Sequence, residues 1–442
     1  MAIELLLAAV AAFVLLRWLP ASGPRREWLL VAISCAFIAY EQPFALLVCV
    51  ALTLATWAML RQQVRERIPR IAMVGGLLLG LVLLRDVPEL SRVWAHAPVS
   101  WPIPLGLSFL VLRLIGVVMD ATALGEPVGA RQLLLLSTFF PTFRSGPITT
   151  LRSLQPLPPE SIDVRRAADR IVLGLARKCL LADLLFSAIV SPWTVAGVDW
   201  LSPDQCLLFP FMMGLWLYWD FAGYSDIAIG AAALMGYRVP ENFDRPYLSR
   251  NLVEFWRRWH ITLSEWIRSR VFLKLSGRRP STRRVCAAAV ASMLLCGVWH
   301  GPRGGFLIWG LWHGLGIAAV LALGAFERRH PRLQAILGGA FTTAASTAFT
   351  YVWVNLGWLP FFLGVDQAWR VAHRAGDAFL HLRGPILLLV LMAAVFALSR
   401  GAAAATRAWR QGLPEPLRGM VYALVLAGLF ASGSPPFVYF RF

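Results

Sequence analysis

The sequence predicts an all-α, polytopic membrane protein, and three observations support this fold class. Of its 442 residues, 58% are hydrophobic and only 15% are charged, whereas a soluble domain carries about a quarter charged residues. The mean hydropathy is +0.63. Apolar runs recur along the whole chain, so the apolar surface belongs to many separate membrane helices and not to one soluble core.

The apolar runs give the predicted order of the helices. A helix needs roughly 20 apolar residues to cross a bilayer, so the shorter or interrupted runs are expected to be re-entrant or interfacial. We expect about eleven true crossings and a single membrane domain over residues 1–442. The candidate runs are 2–19, 28–41, 43–60, 71–86, 102–123, 131–148, 168–190, 205–236, 285–300, 304–325, 341–364, 384–399 and 418–433.

The N-terminal run from Ala2 to Leu19 has no basic region before it and no small-residue cleavage site after it. Both features are typical of a secretory signal peptide. We therefore expect this run to be a first helix that the mature protein retains.

The net charge of +18 comes almost entirely from arginines between the apolar runs. Their clusters, at 61–70, 245–284 and 328–332, are typical of cytoplasmic loops that face anionic lipid headgroups. If runs 285–300 and 304–325 form one hairpin, the last two clusters share a face, as the positive-inside rule requires. This pattern argues against nucleic-acid binding. The stretch Leu252–Leu275 mixes arginine with tryptophan and phenylalanine, which predicts helices at the membrane interface.

Several familiar reactive motifs are missing from the sequence. None of the six cysteines forms a CxxC pair, and most lie in apolar runs, which indicates small buried side chains. There is no HExxH motif, no GxSxG elbow and no P-loop. We therefore expect no metal site, no serine triad and no nucleotide hydrolysis.

His300 is the strongest candidate for chemistry that the residues themselves offer. The run Val285–His300 would make a helix of about 24 Å, and the hydrocarbon core of a bilayer is about 30 Å thick. A helix that starts at the basic face would therefore leave His300 inside the membrane, in protein or in a wet cavity. Gly297 and Gly301 would let a substrate or another backbone approach it closely. A proton-transfer role and a structural hydrogen bond both remain open.

Two more histidines lie in aromatic surroundings. His260 ends the aromatic and basic stretch Glu254–His260, so it is either a member of an active site or a packed structural residue. His313 lies inside run 304–325, where packing between helices is the expected role.

Charged residues inside apolar runs form a second group of candidates. Asp220 and Asp226 lie in one long run, where carboxylates are costly unless they are paired or wet. They either line a polar cavity or make structural ion pairs. Lys178 and Asp183, in run 168–190, are plausible partners for polar groups. Arg144 lies in a segment rich in proline and glycine, which at membrane depth suits a protein-lined cavity or a re-entrant loop.

These motifs together resemble the membrane-bound O-acyltransferase superfamily. The similar branch is that of bacterial alginate O-acetyltransferase membrane subunits, with the D-alanyl transfer membrane proteins of teichoic acid synthesis as relatives. The resemblance runs from about Leu105 to the C-terminus, and the order and number of its motifs make it specific. The matching stretches are Leu105–Phe109, Phe139–Pro147, Trp219–Asp226, Pro240–Tyr247, Glu254–His260, Trp299–Gly301 and Pro436–Phe440.

The resemblance implies an architecture and a pair of catalytic residues. The family's invariant histidine falls on His300 and its second active-site histidine on His260. Family members form a ring of helices around a central tunnel, which the acyl donor and the acceptor enter from opposite sides. By this resemblance, residues 1–100 are N-terminal helices, 101–330 the catalytic core and 331–442 C-terminal helices. Tunnel-lining candidates are Trp299, Asp220, Tyr224, Asp226, Arg144, Trp256, Trp259 and Asn242.

The function that this resemblance implies is the transfer of an acyl group, expected to be acetyl, from a cytoplasmic thioester across the inner membrane toward an exported polysaccharide. The donor would be acetyl-CoA or an acyl-carrier-protein thioester, with no bound cofactor. Its phosphates would suit the guanidiniums of Arg257, Arg258, Arg278 and Arg279, since arginine binds phosphate bidentately. The expected setting is the bacterial inner membrane, with membrane lipids around the chain. The expected partners are a periplasmic SGNH-type acetyltransferase and the export machinery of a polysaccharide.

Three connecting segments depart from the family pattern, which affects the choice of donor and acceptor more than the chemistry. The segments are Arg268–Arg270, Ser276–Arg279 and Gly301–Gly304. Two other functions therefore stay open. One is a transporter or channel for an acyl carrier or a lipid-linked sugar, and the other is a lipid O-acyltransferase.

Overall fold

The computed structural model is helical throughout most of the parts that it describes. These parts are residues 2–16, 23–62, 67–87, 104–120, 128–158, 161–330, 340–381, 383–412 and 414–431. The terminal motif Pro436–Phe440 lies outside the described residues, as do parts of the basic clusters at 61–70 and 328–332. Contacts divide the chain into two compact units. The first contains Met1–Leu175 and Tyr224–Glu241, and the second contains Ala176–Gly223 and Asn242–Phe442.

The first unit is built from amphipathic and apolar helices with one short strand pair. Within it, α2 packs on α3 and α6, and α4 packs on α5. Its strands are antiparallel, with Gln155 opposite Arg238. Its elements are α1 (Ala2–Leu16), α2 (Pro24–Glu41), α3 (Pro43–Gln62), α4 (Arg67–Leu81) with a π-turn at Val82–Asp86, α5 (Leu107–Asp120), α6 (Ala130–Thr138), α7 (Phe140–Phe143), β1 (Gln155–Pro156), α8 (Val164–Leu175) and β2 (Tyr237–Arg238).

The second unit begins with a run of short helical turns and ends with long helices. The long α11 (Pro203–Leu234) gives its residues up to Gly223 to this unit and the rest to the first. The other elements are π-turns at Ala176–Ala182, Phe186–Val190 and Arg268–Phe272, 3₁₀ turns at Val198–Trp200 and Pro246–Leu248, and helices α9 (Asp183–Leu185), α10 (Ser191–Ala196), α12 (Leu252–Arg258), α13 (Ile261–Ile267), α14 (Leu273–Ser276), α15 (Thr282–His300), α16 (Gly304–Glu327), α17 (Ala340–Phe362), α18 (Val365–Leu380), α19 (Arg383–Gly412) and α20 (Glu415–Ala431).

Five of the described helices are long and apolar enough to cross a membrane. They lie at Pro43–Arg61, Pro203–Leu234, Thr282–His300, Gly304–Glu327 and Arg383–Gly401. The prediction of a multi-pass, all-α membrane fold is thereby confirmed, while the number of about eleven crossings stays a prediction.

The hairpin of α15 and α16 is held together by close contacts between backbones. A Cβ atom on Gly310 would lie 2.5 Å from the carbonyl oxygen of Met293, and one on Gly314 would lie 2.8 Å from the Cα of Val290. A Cβ on Gly297 would meet the carbonyl oxygen of Phe306. Only glycine allows such close approach, so these glycines fix the position of α15 against α16.

The ends of α15 follow from its sequence. The Ser281 hydroxyl accepts a hydrogen bond from the backbone N–H of Arg284 at 3.3 Å, which caps the first turn. The helix ends where Gly301 takes a φ of 151°. The start at Thr282 is three residues before the predicted one, because the cap extends the helix into its basic approach. The helix of 19 residues is about 28.5 Å long.

The interfacial stretch between α11 and α15 consists of short helices, as its mixed composition predicts. It contains α12, α13 and α14 with a π-turn between the last two. The Asn251 side chain caps α12 by accepting from the backbone N–H of Glu254 at 2.9 Å. At the start of α13, His260 has a φ of 42°, which places it in the left-handed region that is uncommon for a side chain of its size. The chain therefore makes a sharp bend at this histidine.

Candidate active site

His300 is the last residue of α15, and its imidazole is half-buried. Four aromatic rings surround it. The ring centroids lie 4.8 Å away for Trp299, 4.9 Å for Phe361, 5.2 Å for Trp309 and 5.8 Å for Phe306. Three of these contacts, with Trp299, Trp309 and Phe361, are edge to face. The imidazole is therefore held in a defined orientation, while part of the residue stays exposed.

The surroundings of His300 suit a group that takes up a proton during a reaction. The carbonyl end of a helix stabilises positive charge. The position of His300 at this end of α15 therefore suits a side chain that accepts a proton. The rings also limit access of water, which would otherwise compete with an acceptor hydroxyl.

His260 is almost fully buried, with 1% of its surface exposed. Its Nδ1 lies 3.1 Å from the Oδ1 of Asn242. The same oxygen accepts from the backbone N–H of Thr262 at 3.3 Å and from its hydroxyl at 2.9 Å. The ring of Phe221 packs edge to face on the imidazole at 4.8 Å. Asn242 therefore holds both the histidine and the start of α13.

These bonds determine the tautomer of His260. A backbone N–H can only donate, so the Asn242 atom that faces Thr262 must be the carbonyl oxygen and not the amide nitrogen. The Nδ1 of His260 must then be the protonated ring nitrogen, and Nε2 keeps the lone pair. Burial lowers the pKa of His260 to about 3. The side chain is therefore neutral at physiological pH and presents a hydrogen-bond acceptor at Nε2.

A continuous series of aromatic rings links the surroundings of the two histidines. Next to His260, Trp259 contacts Trp358 at 5.3 Å between centroids. Trp358 in turn contacts Trp309 at 6.1 Å, and Trp309 reaches His300 at 5.2 Å. All of these residues belong to the second unit. The structure thus places both predicted catalytic histidines in one aromatic network.

His313 is packed between helices, as the sequence analysis expects. It is fully buried, with Trp256 and Trp309 each 5.2 Å away between ring centroids. Within the described part of the chain, neither ring nitrogen has a hydrogen-bond partner. Trp256, a tunnel-lining candidate, thus contacts the aromatic network through Trp309 at 5.6 Å as well.

Asp220 takes part in a buried ion-pair cluster. The Nζ of Lys178 lies 2.5 Å from the Oδ1 of Asp220 and 2.9 Å from the Oδ1 of Asp183. All three side chains are at most 4% exposed. The expectation that Lys178 and Asp183 partner polar groups nearby is confirmed, and one lysine pairs with two carboxylates in the membrane domain.

Three tunnel-lining candidates lie in the first unit. Arg144 makes an ion pair with Glu41, and the hydroxyl of Tyr224 donates to the carbonyl oxygen of Pro141 at 3.3 Å. Asp226 accepts from the Nε of Arg170 at 2.8 Å, and Arg170 also pairs with Glu241. The structural ion pair that the sequence analysis considers for Asp226 is therefore present. The roles of all three residues in a tunnel stay predictions.

The four arginines predicted to bind phosphate have different surroundings. Arg258 pairs with Glu254 at 2.6 Å. Arg278 and Arg279 are exposed on the connection before α15. Arg257 lines a cleft of about 730 Å³ together with Arg250 and Arg328. Arg257 and Arg258 are neighbours in sequence, but Arg257 lines the cleft whereas Arg258 binds Glu254.

Several residues of this site were not identified from the sequence. Trp309, Trp358 and Phe361 surround or link the histidines, although they lie in runs that read as ordinary apolar helices. Thr262 stabilises Asn242 from two residues beyond His260. The density of tryptophan near His260 and His300 is one signal in the sequence, but spacing alone does not show which rings meet.

The sequence of this chain matches known proteins over most of its length. A sequence model of the membrane-bound O-acyltransferase family, MBOAT, matches residues 33–358. A probable alginate O-acetylase of Pseudomonas aeruginosa is 33% identical over 61% of this chain and 51% of its own length. A teichoic acid D-alanyltransferase of Bacillus subtilis is 26% identical over 65% of this chain and 78% of its own length.

The third relative, a peptidoglycan O-acetyltransferase of Helicobacter pylori, is 28% identical over 59% of this chain and 54% of its own length. This chain spans about half the length of the alginate O-acetylases that it matches. Most of the site falls within the matched region 33–358, including both histidines, whereas Phe361 lies just beyond it.

Proposed function

The chain belongs to the membrane-bound O-acyltransferase family, and we propose that it transfers an acyl group from a thioester donor to a hydroxyl acceptor. The group that its relatives suggest is acetyl, on the way to an exported polysaccharide. The names of those relatives include two O-acetylating enzymes of cell-surface polymers. The proposed donor is acetyl-CoA or an acyl-carrier-protein thioester that enters from the cytoplasmic side of the inner membrane.

His300 is the proposed general base. Its imidazole takes the proton from the acceptor hydroxyl while the oxygen attacks the thioester carbonyl carbon. The tetrahedral intermediate then collapses, the C–S bond breaks, and the leaving thiolate takes the proton back from the imidazolium. The products are an ester and a thiol, so atoms and charges balance. The half-buried position of His300 among four rings supports this role.

His260 is proposed to orient a substrate and not to donate a proton. It is neutral because burial lowers its pKa, and its Nδ1–H is committed to Asn242. Its Nε2 can therefore only accept a hydrogen bond, for example from an acceptor hydroxyl or from an amide N–H of the donor. A second active-site histidine could either orient a substrate or protonate the leaving thiolate, and these contacts support the first role.

The donor's phosphates are proposed to bind at the basic face of the domain. Arg278 and Arg279 are the best placed of the predicted residues, since both are exposed and close to the start of α15. Arg258 is less suited because Glu254 already neutralises it.

The proposed partners are a periplasmic acetyltransferase of the SGNH type and a polysaccharide export apparatus.

The finer architecture is also a proposal. Family membership and the five candidate spans support a ring of about eleven crossings around a central tunnel. The proposed tunnel lining still consists of the eight predicted residues. Asp220 is proposed to form part of the tunnel wall and not to react, because Lys178 binds its carboxylate.

One observation carries the proposed function. His300, the proposed catalytic histidine, lies at the end of a candidate membrane span, held by aromatic rings and joined by a ring series to the neutral His260. A transporter that performs no chemistry would not need an oriented, half-buried imidazole.

The experiment that tests this function measures acyl transfer from labelled acetyl-CoA in lipid nanodiscs. The protein is compared with empty nanodiscs, and each reaction is run with and without a polysaccharide acceptor and with membrane lipid as the acceptor. Release of CoA that depends on the protein and on a polysaccharide hydroxyl supports the proposal. Labelled lipid in place of labelled polysaccharide would show that the acceptor is a lipid and not a polysaccharide. Movement of a labelled substrate across liposomes without any thioester cleavage would support a transporter and contradict the enzyme.

A further inference from the structure

A basic cleft lies where the interfacial helix α12 meets the hairpin of α15 and α16. Its volume is about 730 Å³, within the range of small-molecule sites. Three arginines are among the residues that line it, namely Arg250, Arg257 and Arg328. The sequence places them 78 residues apart at most, and the fold brings them to one place.

The three arginines of this cleft carry charge that the protein does not neutralise. Among the residues that the structure describes, no carboxylate lies within ion-pair distance of any of their side chains. Glu254 also lines the cleft, but its carboxylate binds Arg258 at 2.6 Å and the backbone N–H of Arg250 at 2.8 Å. The cleft is therefore left with an excess of positive charge.

The remaining walls of the cleft are aliphatic. Val285 of α15 and Leu321 of α16 contribute to them. No aromatic ring is among the described residues that line the cleft, so nothing there would stack on the base of a nucleotide. An anion with an aliphatic part fits such walls better than coenzyme A does.

The cleft lies at the ends of two candidate membrane spans, which is the level of a membrane surface. Thr282, which lines it, is the first residue of one candidate span, and Arg328 directly follows the last residue of the next span. On the same α16, Leu311, Leu315 and Leu323 are 42%, 53% and 50% exposed. Exposed leucines on a spanning helix face lipid chains, while the arginines lie at the level of headgroups.

We infer that this cleft binds the phosphate headgroup of an anionic phospholipid, whose acyl chains lie against the exposed apolar side chains of α16. Guanidiniums bind phosphate through paired hydrogen bonds, and basic pockets between membrane helices bind anionic headgroups. The inference goes beyond the proposed acyl transfer and does not depend on it. His300 lies about 22 Å along α15 from Val285 in the cleft, so the lipid occupies a place separate from the reacting groups.

The test measures which lipids stay with the protein when it is taken from nanodiscs of equal parts phosphatidylglycerol and phosphatidylcholine into detergent. Native mass spectrometry counts the bound lipids. The wild type is expected to retain phosphatidylglycerol preferentially. Substitution of all three arginines (Arg250→Gln, Arg257→Gln and Arg328→Gln) is expected to reduce this preference at least about tenfold.

A matched control removes the same charge elsewhere. Arg25, Arg238 and Arg400 are exposed, and their triple substitution by Gln is expected to keep the preference. Arg328→Gln alone serves if the triple variant does not fold, because this exposed side chain has no ion-pair partner among the described residues. Equal retention of both lipids by the wild type, or an equal loss in the cleft and control variants, would overturn the inference. Binding of coenzyme A that depends on the three arginines, without preference for phosphatidylglycerol, would overturn it too and assign the cleft to the donor.

Discussion

The properties of His260 depend on one oxygen atom. The Oδ1 of Asn242 accepts hydrogen bonds from His260 and, twice, from Thr262. All of these groups are buried, so loss of the acceptor leaves donors unsatisfied in an apolar interior. The tautomer of His260 and the attachment of the start of α13 thus depend on the same oxygen atom.

At this scale we predict that Asn242→Ala costs about 1–3 kcal/mol of stability and lowers turnover at least about tenfold by misplacing His260. Thr262→Val is the matched control, because it removes only the hydroxyl bond and leaves the oxygen acceptor in place. Thermal unfolding and acyl transfer in nanodiscs measure both effects. Similar losses of turnover in the two variants would show that Asn242 does not position His260.

The buried His260 also predicts a dependence of stability on pH. Its pKa is about 3 in the folded protein and 6.5 ordinarily, so between these values the unfolded chain binds a proton that the folded chain does not. The contribution of the neutral side chain to the free energy of unfolding is fully present above pH 6.5. It falls as the pH falls below this value, by up to about 1.4 kcal/mol per pH unit.

The measurement compares unfolding free energies of the wild type and His260→Gln between pH 7 and pH 4. The wild type is expected to lose more stability than the variant over this range, since glutamine does not titrate. Parallel losses in the two proteins would mean that the folded state admits the proton and that His260 is not kept neutral.

At the scale of the elements, the glycines of the α15–α16 hairpin determine where His300 lies. A side chain on Gly310 would meet the backbone of Met293 at 2.5 Å, and backbone cannot move as a flexible side chain can. The two helices would have to separate, and His300 at the end of α15 would move with them.

We therefore predict that Gly310→Ala lowers the melting temperature and reduces turnover by about tenfold to a hundredfold, since a displacement of about 1 Å at a reacting group has this effect. Gly376→Ala is the control, because no atom lies within 4 Å of the added Cβ on α18. Alanine there is expected to be neutral or to stabilise by up to about 1 kcal/mol. Unchanged turnover in Gly310→Ala would show that the hairpin does not position His300.

The sequence predicts the boundaries of the elements best where a single residue type marks them. The starts of α3 and α16 were predicted to the residue, because a proline or a glycine marks each boundary. Run 168–190 instead contains α8 followed by π-turns and the short α9, and the ion pair of Lys178 and Asp183 lies within this irregular part. The strand pair β1–β2 was not predicted, because two residues are too few for a periodic pattern.

At the scale of the whole molecule, the site was predicted from motifs and not from contacts. The order of the motifs identified His300 and His260, and hydropathy predicted that His300 lies within a membrane span. The series from Trp259 through Trp358 and Trp309 could not be predicted, because these residues come from three separate segments and their meeting depends on tertiary packing. The basic cleft has the same origin.

The central claim is that His300 removes the proton from the acceptor, and the most direct test compares three proteins in nanodiscs. These are the wild type, His300→Ala and, as a control, His373→Ala, whose histidine is exposed on α18. Acyl transfer and melting temperature are measured for each. We predict that His300→Ala lowers turnover by about 10²–10⁴-fold at an unchanged melting temperature, while His373→Ala keeps both. Wild-type turnover in His300→Ala would contradict the account.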